Sequence, residues 1–396
     1  MRCRYGALGV LFDILKLHGN SFTREFWIRV YDSVLLPMFD HVRAEVTDTT
    51  TFSDEARRAE ADAWLYETCT TSLQYLVDVV ARYHRSIPEL LSRSLDLVAG
   101  FVRRNHPSLA AVGVAALTQL AISCGTEASQ ETWDRILGEI SSAAEDTAPD
   151  LPGLLAYRSE HKSSTMDSKS AWSLADGAGA RRLSEITCKA GVQLLLAQAC
   201  GEIYAAHSQY IPTDSALQLL DILREIAMKS MRDDANEGLR ESLSMAQAAD
   251  HVGVNKRLRD PPFLHLEVES SQAYMSVLMS ISAGSRRDLL EKAGIHQRIC
   301  ELCLQNLERF ERQSAACHIV PDKGGSETLA HENAALAPLA VATLKALLGL
   351  PKEVFVARVK EFYPILTNLI ASDIAPPEVQ SSLSMLFSER VSNIVE

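Results

Sequence analysis

Apolar residues recur at helical spacing along almost the whole chain, so that each segment can bury one broad face. Two segments that share this spacing carry Leu8, Leu11, Phe12 and Leu15, and Leu109, Val112, Ala116, Leu117 and Leu120. The alternation of apolar and polar residues that marks a β-strand is nearly absent. Proline stands mostly between the periodic segments, where it suits a helix end or a first turn, as at Pro37, Pro88, Pro107, Pro212 and Pro351. The pattern therefore predicts an all-α protein.

The helices that this pattern predicts are long and closely spaced. They lie near residues 5–18, 22–38, 60–84, 88–104, 107–123, 129–146, 181–208, 213–230, 236–247, 263–283, 287–310, 331–350, 353–370 and 376–393. Helices of this length joined by short turns favour an α-solenoid of HEAT or armadillo-like repeats, in which each antiparallel pair packs against its neighbours. Because no strict motif returns at a fixed period, a large irregular helical bundle stays open as the alternative.

Four stretches interrupt the helices and are predicted to be loops. They are residues 45–53, 150–180, 253–262 and 313–327, which are rich in threonine, serine, glycine or proline. The second of them is too long for an ordinary connection in a compact fold. We therefore predict an N-terminal helical subarray at 1–149, a disordered insert or linker at 150–180, and a C-terminal helical subarray at 181–396.

Composition and charge disfavour nucleic-acid-binding, disulfide-rich and membrane-spanning classes of protein. The chain has 396 residues, 39 lysines and arginines, and 51 aspartates and glutamates, which gives a formal net charge of −12. An acidic chain is poorly suited to neutralising phosphates, so nucleic acid is not expected as a partner. Eight irregularly spaced cysteines indicate reduced thiols in a cytoplasmic protein rather than a disulfide scaffold. The longest apolar stretches, 109–122 and 334–350, are interrupted by polar residues or proline, so any membrane contact is expected to be peripheral.

The sequence motifs that usually carry enzyme chemistry are missing. There is no Gly-x-x-x-x-Gly-Lys-Ser/Thr phosphate loop, no Gly-x-Gly-x-x-Gly after a strand, and no Gly-x-Ser-x-Gly elbow. The pair Cys300 and Cys303, with Cys317 and His318 nearby, offers four potential zinc ligands. Because the pair falls on the apolar face of a predicted helix, we interpret these residues as core thiols. We therefore predict no catalytic residues, no metal site and no cofactor.

The histidines do not form a catalytic or metal-binding pattern. His18, His84, His106 and His265 lie near predicted helix ends or beside proline, and none pairs with another histidine at a spacing of four. A histidine at a helix end commonly satisfies terminal carbonyl groups. We interpret these four residues as structural.

Two charged features could serve binding. Lys256, Arg257 and Arg259 form a compact basic cluster in a predicted loop, suited to an anionic lipid head group or an acidic protein surface. A solvated loop is the alternative. The segment 127–150 carries seven acidic residues and one basic residue, Arg135, and would present an acidic face to a basic partner or serve solubility.

Several segments, taken in order, resemble one known family. The residues that carry the resemblance are Gly6-Ala7-Leu8, Leu11 to Leu15, His18-Gly19, Phe22, Phe26-Trp27, Leu36 to Asp40, Trp64 to Asp78, Gly100 to Val102, Leu120, Trp133, Gln193 to Tyr204, Asp260 to Ser270 and Phe362 to Ile370. They resemble the C-terminal helical region of the large brefeldin-A-inhibited guanine-nucleotide exchange factors for ARF GTPases. The stretches 150–180 and 311–337 have no counterpart in this resemblance.

The resemblance implies a regulatory function rather than catalysis by this chain. In that family a separate helical domain performs nucleotide exchange, and nothing in this sequence matches it. The resemblance implies a C-terminal solenoid of a larger protein, or a free-standing remnant, which regulates or scaffolds ARF activation in vesicle transport. The expected partners are small GTPases of the ARF, ARF-like or Rab type and the surface of Golgi or trans-Golgi membranes, with a homodimer left open. An unrelated α-solenoid adaptor that binds a protein on its concave face is the alternative.

Overall fold

The fold is helical throughout the part of the chain that the structure describes. The computed structural model describes residues 2–40, 55–126, 128–151, 153, 178–234, 236, 263–284, 286–319, 323–372 and 375–392. Within these ranges every regular element is a helix and no residue lies in a β-strand. The prediction of an all-α protein is confirmed.

We label the helices α1 to α14 in chain order. Their bounds are α1 Arg2–His18, α2 Arg24–Val30, α3 Glu55–Tyr83, α4 Pro88–Val102, α5 Pro107–Gly125, α6 Gln130–Asp146, α7 Ala178–His207, α8 Thr213–Asp234, α9 Leu264–Ala283, α10 Arg287–Lys292, α11 Ile295–Ile319, α12 Lys323–Gly349, α13 Lys352–Ile370 and α14 Pro377–Leu386. Wider π turns continue α2 over Tyr31–Leu35 and α14 over Phe387–Val391.

The chain divides into two compact units. The first comprises Met1–Ala148 and Glu202–Ser215, and the second comprises Pro149–Gly201 and Ala216–Glu396. Helix α7 therefore contributes its last turns to the first unit and the rest to the second. The predicted insert at 150–180 falls largely on residues outside the described ranges, so the division at that stretch stays a prediction.

A cluster of aromatic rings joins α1, α2 and α3 in the first unit. Trp27 is fully buried, and its indole N–H donates a hydrogen bond to the Gly19 carbonyl oxygen at 3.1 Å. The Tyr83 ring lies 5.0 Å from the Trp27 ring, and its hydroxyl donates to the Lys16 carbonyl oxygen at 2.9 Å. The Tyr83 hydroxyl thus satisfies a carbonyl group in the last turn of α1. The Trp27 indole adds a second donor to the Gly19 carbonyl, which also accepts from the Phe22 N–H at 3.1 Å.

Helix α5 is the apolar centre of the first unit. It packs against α3, α4 and α6, and it is long and apolar enough to span a membrane by length and composition alone. However, 67% of its most apolar window is buried inside the protein, as expected for a core helix. Gly113 lets α5 approach α4 closely, because a Cβ atom at this position would lie 2.7 Å from the backbone nitrogen of Val102.

Helices α9, α11 and α12 form the core of the second unit, and α12 also packs on α14. Their buried side chains include Leu278, Ile299, Leu307 and Leu344, each with essentially no exposed surface. Helix α13 packs on α11 and α14. A series of long helices in mutual contact thus builds this core from the periodic apolar stripes that the sequence contains.

The structure differs from the predicted elements at three places. The predicted helix at 287–310 is two helices, because Gly294 takes a left-handed backbone conformation (φ 56°) between α10 and α11. The predicted loop at 313–327 is largely helical, because its polar residues Gln313 and Ser314 hydrogen-bond inside the protein rather than to solvent. Helix α12 begins at Lys323, before the predicted start of that helix at 331.

Other predicted elements cannot be compared with the structure. The predicted helix at 236–247 and the predicted loops at 45–53 and 253–262 lie, entirely or almost entirely, outside the described residues.

Candidate functional site

The second unit contains a group of buried polar side chains where α9, α11 and α12 meet. This group, which we call the polar layer, comprises Glu267 of α9, Arg309, Gln313 and Ser314 of α11, and Glu332 and Asn333 of α12. Each of the six residues is no more than 5% exposed. Polar and charged groups are rarely buried so completely unless they interact with one another.

The polar layer holds a buried ion pair and hydrogen bonds between neighbouring side chains. The Arg309 Nε atom lies 3.3 Å from Oε1 of Glu267, and the Arg309 Nη1 group donates to Oε1 of Gln313 at 3.1 Å. Nearby, the Ser314 hydroxyl donates to Oδ1 of Asn333 at 3.0 Å and so links α11 to α12. The layer therefore joins three helices through interactions that depend on their relative positions.

A second polar contact, outside the polar layer, joins α11 to α12. The Asn306 amide donates to the Thr343 hydroxyl at 3.2 Å, and that hydroxyl donates to the Leu339 carbonyl oxygen at 2.8 Å. Both side chains are buried. Such directional contacts between helices tolerate little sliding, so they fix the register of α11 against α12.

The chemistry that the polar layer can perform is structural. An arginine stays protonated and so cannot act as a proton-transferring base, and the carboxylate of Glu267 is fully buried beside it. A buried ion pair of this kind stabilises little relative to an apolar core of the same shape, but breaking it is costly. We therefore interpret the polar layer as a device that fixes helix packing.

An ion pair joins α8 to α11 elsewhere in the second unit. The Arg298 Nη1 group donates to Oδ1 of Asp221 at 2.7 Å, and its Nε group donates to the Ala293 carbonyl oxygen at 3.1 Å. Tyr274 of α9 lies beside Arg298, and burial raises the pKa of its hydroxyl. The guanidinium thus links α8 and α11 and satisfies a carbonyl group at the end of α10.

Cys300 and Cys303 lie on the buried face of α11, as the sequence pattern predicts. The Cys303 thiol points to the Thr343 carbonyl oxygen at 3.8 Å. Burial raises the pKa of both thiols, and that of Cys303 rises well above its ordinary value. Both residues therefore stay protonated thiols of low reactivity at neutral pH. The side chains of Cys317 and His318 lie outside the described set, so the prediction that this segment holds no metal stays a prediction.

The predicted histidines behave as helix-end residues where their contacts are described. The Nδ1 atom of His84 lies 3.2 Å and 3.0 Å from the carbonyl oxygens of Val80 and Ala81, at the end of α3. His18 and His265 are exposed, and His106 precedes the first turn of α5. Among the described residues, no three of the types His, Cys, Asp and Glu lie close enough together to hold a metal ion.

Sequence reasoning missed one structurally important histidine. His207 is buried at the end of α7, with its Nε2 atom 3.1 Å from the Ile122 carbonyl oxygen and its ring edge-on to Trp133. A Cβ atom at Gly125 would lie 2.8 Å from that Nε2 atom. The residue ties the end of α7 to α5 and α6 within the first unit.

The predicted acidic face at 127–150 is partly neutralised. Arg103, just after α4, lies 2.6 Å from Asp146 and 3.7 Å from Glu139. Glu131 and Asp134 remain exposed at the start of α6. The acidic surface is therefore smaller than the count of carboxylates suggests.

The predicted binding cluster of Lys256, Arg257 and Arg259 lies outside the described residues. Its contact with an anionic lipid or an acidic partner therefore stays a prediction.

The described residues thus define a helical protein whose polar contacts join helices to one another. Residues 191–388 match the family model described as the BIG2 C-terminal domain. This match covers α8 to α14 and most of α7, including the polar layer. The chain belongs to the family of C-terminal regions of brefeldin-A-inhibited guanine-nucleotide exchange proteins.

The curated relatives agree with this family. Brefeldin A-inhibited guanine nucleotide-exchange protein 2 of Arabidopsis thaliana is 30% identical, with 96% of this chain and 23% of that protein covered. Exchange protein 3 of the same plant is 29% identical over 96% of this chain and 22% of its own length. The ADP-ribosylation factor exchange factor sec72 of Schizosaccharomyces pombe is 22% identical over 100% of this chain and 22% of its own length.

The chain spans about a quarter of the length of these relatives. No solved structure matches the chain. The resemblance predicted from the sequence is confirmed, and the alternative of an adaptor unrelated to exchange factors is wrong.

Proposed function

We propose that this chain is a non-catalytic regulatory or scaffolding region of a guanine-nucleotide exchange factor for ARF GTPases. It acts in Golgi vesicle-mediated transport through contacts with proteins and with the membrane surface. The observation that carries the proposal is the family match over 191–388, together with relatives whose names describe exchange on ADP-ribosylation factors.

The described residues support a binding role rather than catalysis by this chain. The buried charged side chains of Glu267 and Arg309 pair with each other, and burial raises the pKa of the Cys303 thiol. We propose that the helices stack as armadillo-like repeats, which offer an extended surface to a partner. The partners are small GTPases of the ARF, ARF-like or Rab type, and a second copy of the chain stays open as a further partner.

Peripheral association with Golgi or trans-Golgi membranes is the second part of the proposal. The basic cluster of Lys256, Arg257 and Arg259 supplies three positive charges in an acidic chain. Each such charge near an anionic membrane surface contributes on the order of 1 kcal/mol of attraction. The cluster therefore contributes to recruitment but does not specify the organelle by itself.

Localisation of the fluorescently tagged chain in cells tests this proposal. We expect the chain to overlap with a trans-Golgi marker, and the triple variant Lys256→Ala, Arg257→Ala, Arg259→Ala to shift measurably toward the cytosol, because three membrane-facing charges are lost. The matched control removes three exposed positive charges elsewhere, at Arg29, Arg287 and Lys292, and should keep the Golgi signal. A diffuse signal for the unchanged chain would contradict the proposed Golgi association.

A further inference from the structure

Helix α13 carries apolar residues on two different faces. One face is buried in the second unit and comprises Phe355, Phe362, Ile365, Leu366 and Leu369. A second set is exposed: Val356 is 39%, Tyr363 is 49% and Ile370 is 46% exposed. Seven residues separate each of these three from the next, so they lie along one line of the helix surface. Packing inside the unit accounts for the first face and not for the second.

Two lysines interrupt this exposed line. Lys352 and Lys360 lie four residues before and four residues after Val356, and Lys360 is three residues from Tyr363. Residues three and four apart are neighbours on a helix surface. We call this set the lysine–apolar row: Lys352, Val356, Lys360, Tyr363 and Ile370.

The row has a net positive charge. Neither lysine makes an ion pair with any other residue that the structure describes. Of the two carboxylates on α13, Glu361 pairs with Arg358 at 3.0 Å on a different side of the helix. The other, Glu353, is exposed and lies three residues before Val356, so it is a neighbour of the row near its N-terminal end. The row and its neighbour Glu353 together carry two ammonium groups and one carboxylate, so this surface keeps a net positive charge beside its apolar side chains.

We propose that the lysine–apolar row is a docking surface for an anionic lipid bilayer. This inference rests on the proposed peripheral membrane association and names a second, independent surface for it. Tyrosine places an apolar ring and a polar hydroxyl at the head-group level, and lysine stems lie along apolar surface while their ammonium groups reach the phosphates.

A bilayer fits the row better than a groove in a protein does. The lysines alternate with the apolar residues, so a protein groove would need carboxylates placed between its own apolar contacts. An anionic bilayer provides diffuse negative charge directly above an apolar layer, and it therefore matches both features of the row at once.

Flotation with lipid vesicles tests the inference. The purified chain is mixed with vesicles of phosphatidylcholine containing about one third phosphatidylserine, and in parallel with pure phosphatidylcholine vesicles. We expect the unchanged chain to float with the anionic vesicles only. The double variant Lys352→Glu, Lys360→Glu should bind at least about tenfold more weakly, because attraction becomes repulsion at two positions. The variant Tyr363→Ala, Ile370→Ser should lose binding to a similar degree.

Controls separate this surface from folding effects and from the basic cluster. Tyr210→Ala removes a tyrosine that is 79% exposed outside the row and should leave flotation unchanged. Circular dichroism should show the same helix content and melting for the row variants and for Tyr210→Ala, because their substituted side chains are exposed.

Each outcome decides the inference. No flotation of the unchanged chain, or undiminished flotation of both row variants, would overturn it. If flotation were lost only when Lys256, Arg257 and Arg259 are replaced, the row would not be the membrane-binding surface. That result would instead support membrane contact by the basic cluster. If the row variants lose flotation but the tagged chain is diffuse in cells, the row still binds anionic lipid. The proposed Golgi association would then be contradicted.

Discussion

Replacing Arg309 with methionine should destabilise the second unit by about 3 to 5 kcal/mol. Arg309 is 5% exposed and lies 3.3 Å from the fully buried carboxylate of Glu267. Methionine retains most of the apolar stem of arginine and removes its charge. The loss of stability therefore measures the cost of leaving the buried Glu267 carboxylate without its cation. We expect peptides from α9, α11 and α12 to exchange their amide hydrogens much faster in the variant, as measured by mass spectrometry.

Two further variants give this prediction its controls. Arg358→Ala breaks the partly exposed pair with Glu361 and should cost only roughly 0 to 1 kcal/mol. The double variant Glu267→Gln, Arg309→Met removes both charges and should recover a large part of the stability lost by Arg309→Met alone. If Arg309→Met and Arg358→Ala had equal effects on hydrogen exchange, the polar layer would not fix the packing of these helices.

Replacing Gly113 with alanine should destabilise the first unit by about 1 to 3 kcal/mol, despite the higher helix propensity of alanine. The new Cβ atom would lie 2.7 Å from the Val102 backbone nitrogen and 2.9 Å from Cβ of Phe101. A backbone atom cannot rotate away, so α4 and α5 must move apart. The measurement is the urea midpoint followed by tryptophan fluorescence, because Trp27 and Trp133 lie buried in this unit.

Gly138 provides the matched control for Gly113. It lies within α6, and a Cβ atom there would meet nothing within 4 Å. Gly138→Ala should therefore stabilise the first unit by about 0.5 to 1 kcal/mol through helix propensity alone. The two substitutions are chemically identical and are expected to have opposite signs. A stabilising effect of Gly113→Ala would contradict the close packing of α4 and α5.

Apolar periodicity predicted most of the helices because a buried stripe repeats every three or four residues. It failed where local backbone chemistry or buried polar contacts decided the structure. The left-handed conformation of Gly294 divides one predicted helix into two. A glycine within a helical pattern of apolar residues does not by itself predict that conformation. Pro321, Gly324 and Gly325 gave the segment 313–327 the composition of a loop, although Gln313 and Ser314 at its start are buried.

The polar layer left a weak signal in the sequence. Glu267 lies four residues after Phe263 and seven before Tyr274, so it shares the stripe of buried residues on α9. A carboxylate at such a position indicates a buried partner, but its identity depends on which helix packs opposite. Arg309 is 42 residues further along the chain on α11, and only the tertiary structure brings the two together.

The lysine–apolar row shows a different limit of sequence reasoning. The segment Phe362 to Ile370 contributed strongly to the family resemblance, but periodicity alone treats all its apolar residues alike. The structure separates the buried Phe362 and Leu366 from the exposed Tyr363 and Ile370. Exposure, and not hydrophobicity, distinguishes the residues that hold the fold from those available to a partner.

Nucleotide release from a purified ARF GTPase tests the central claim most directly. The GTPase is loaded with a fluorescent guanine nucleotide, and release is followed with and without the purified chain. A catalytic exchange domain serves as the positive control. If the chain is a non-catalytic regulatory region, release in its presence should match the uncatalysed rate. Acceleration by the chain alone would contradict the claim and would assign an exchange activity to these helices.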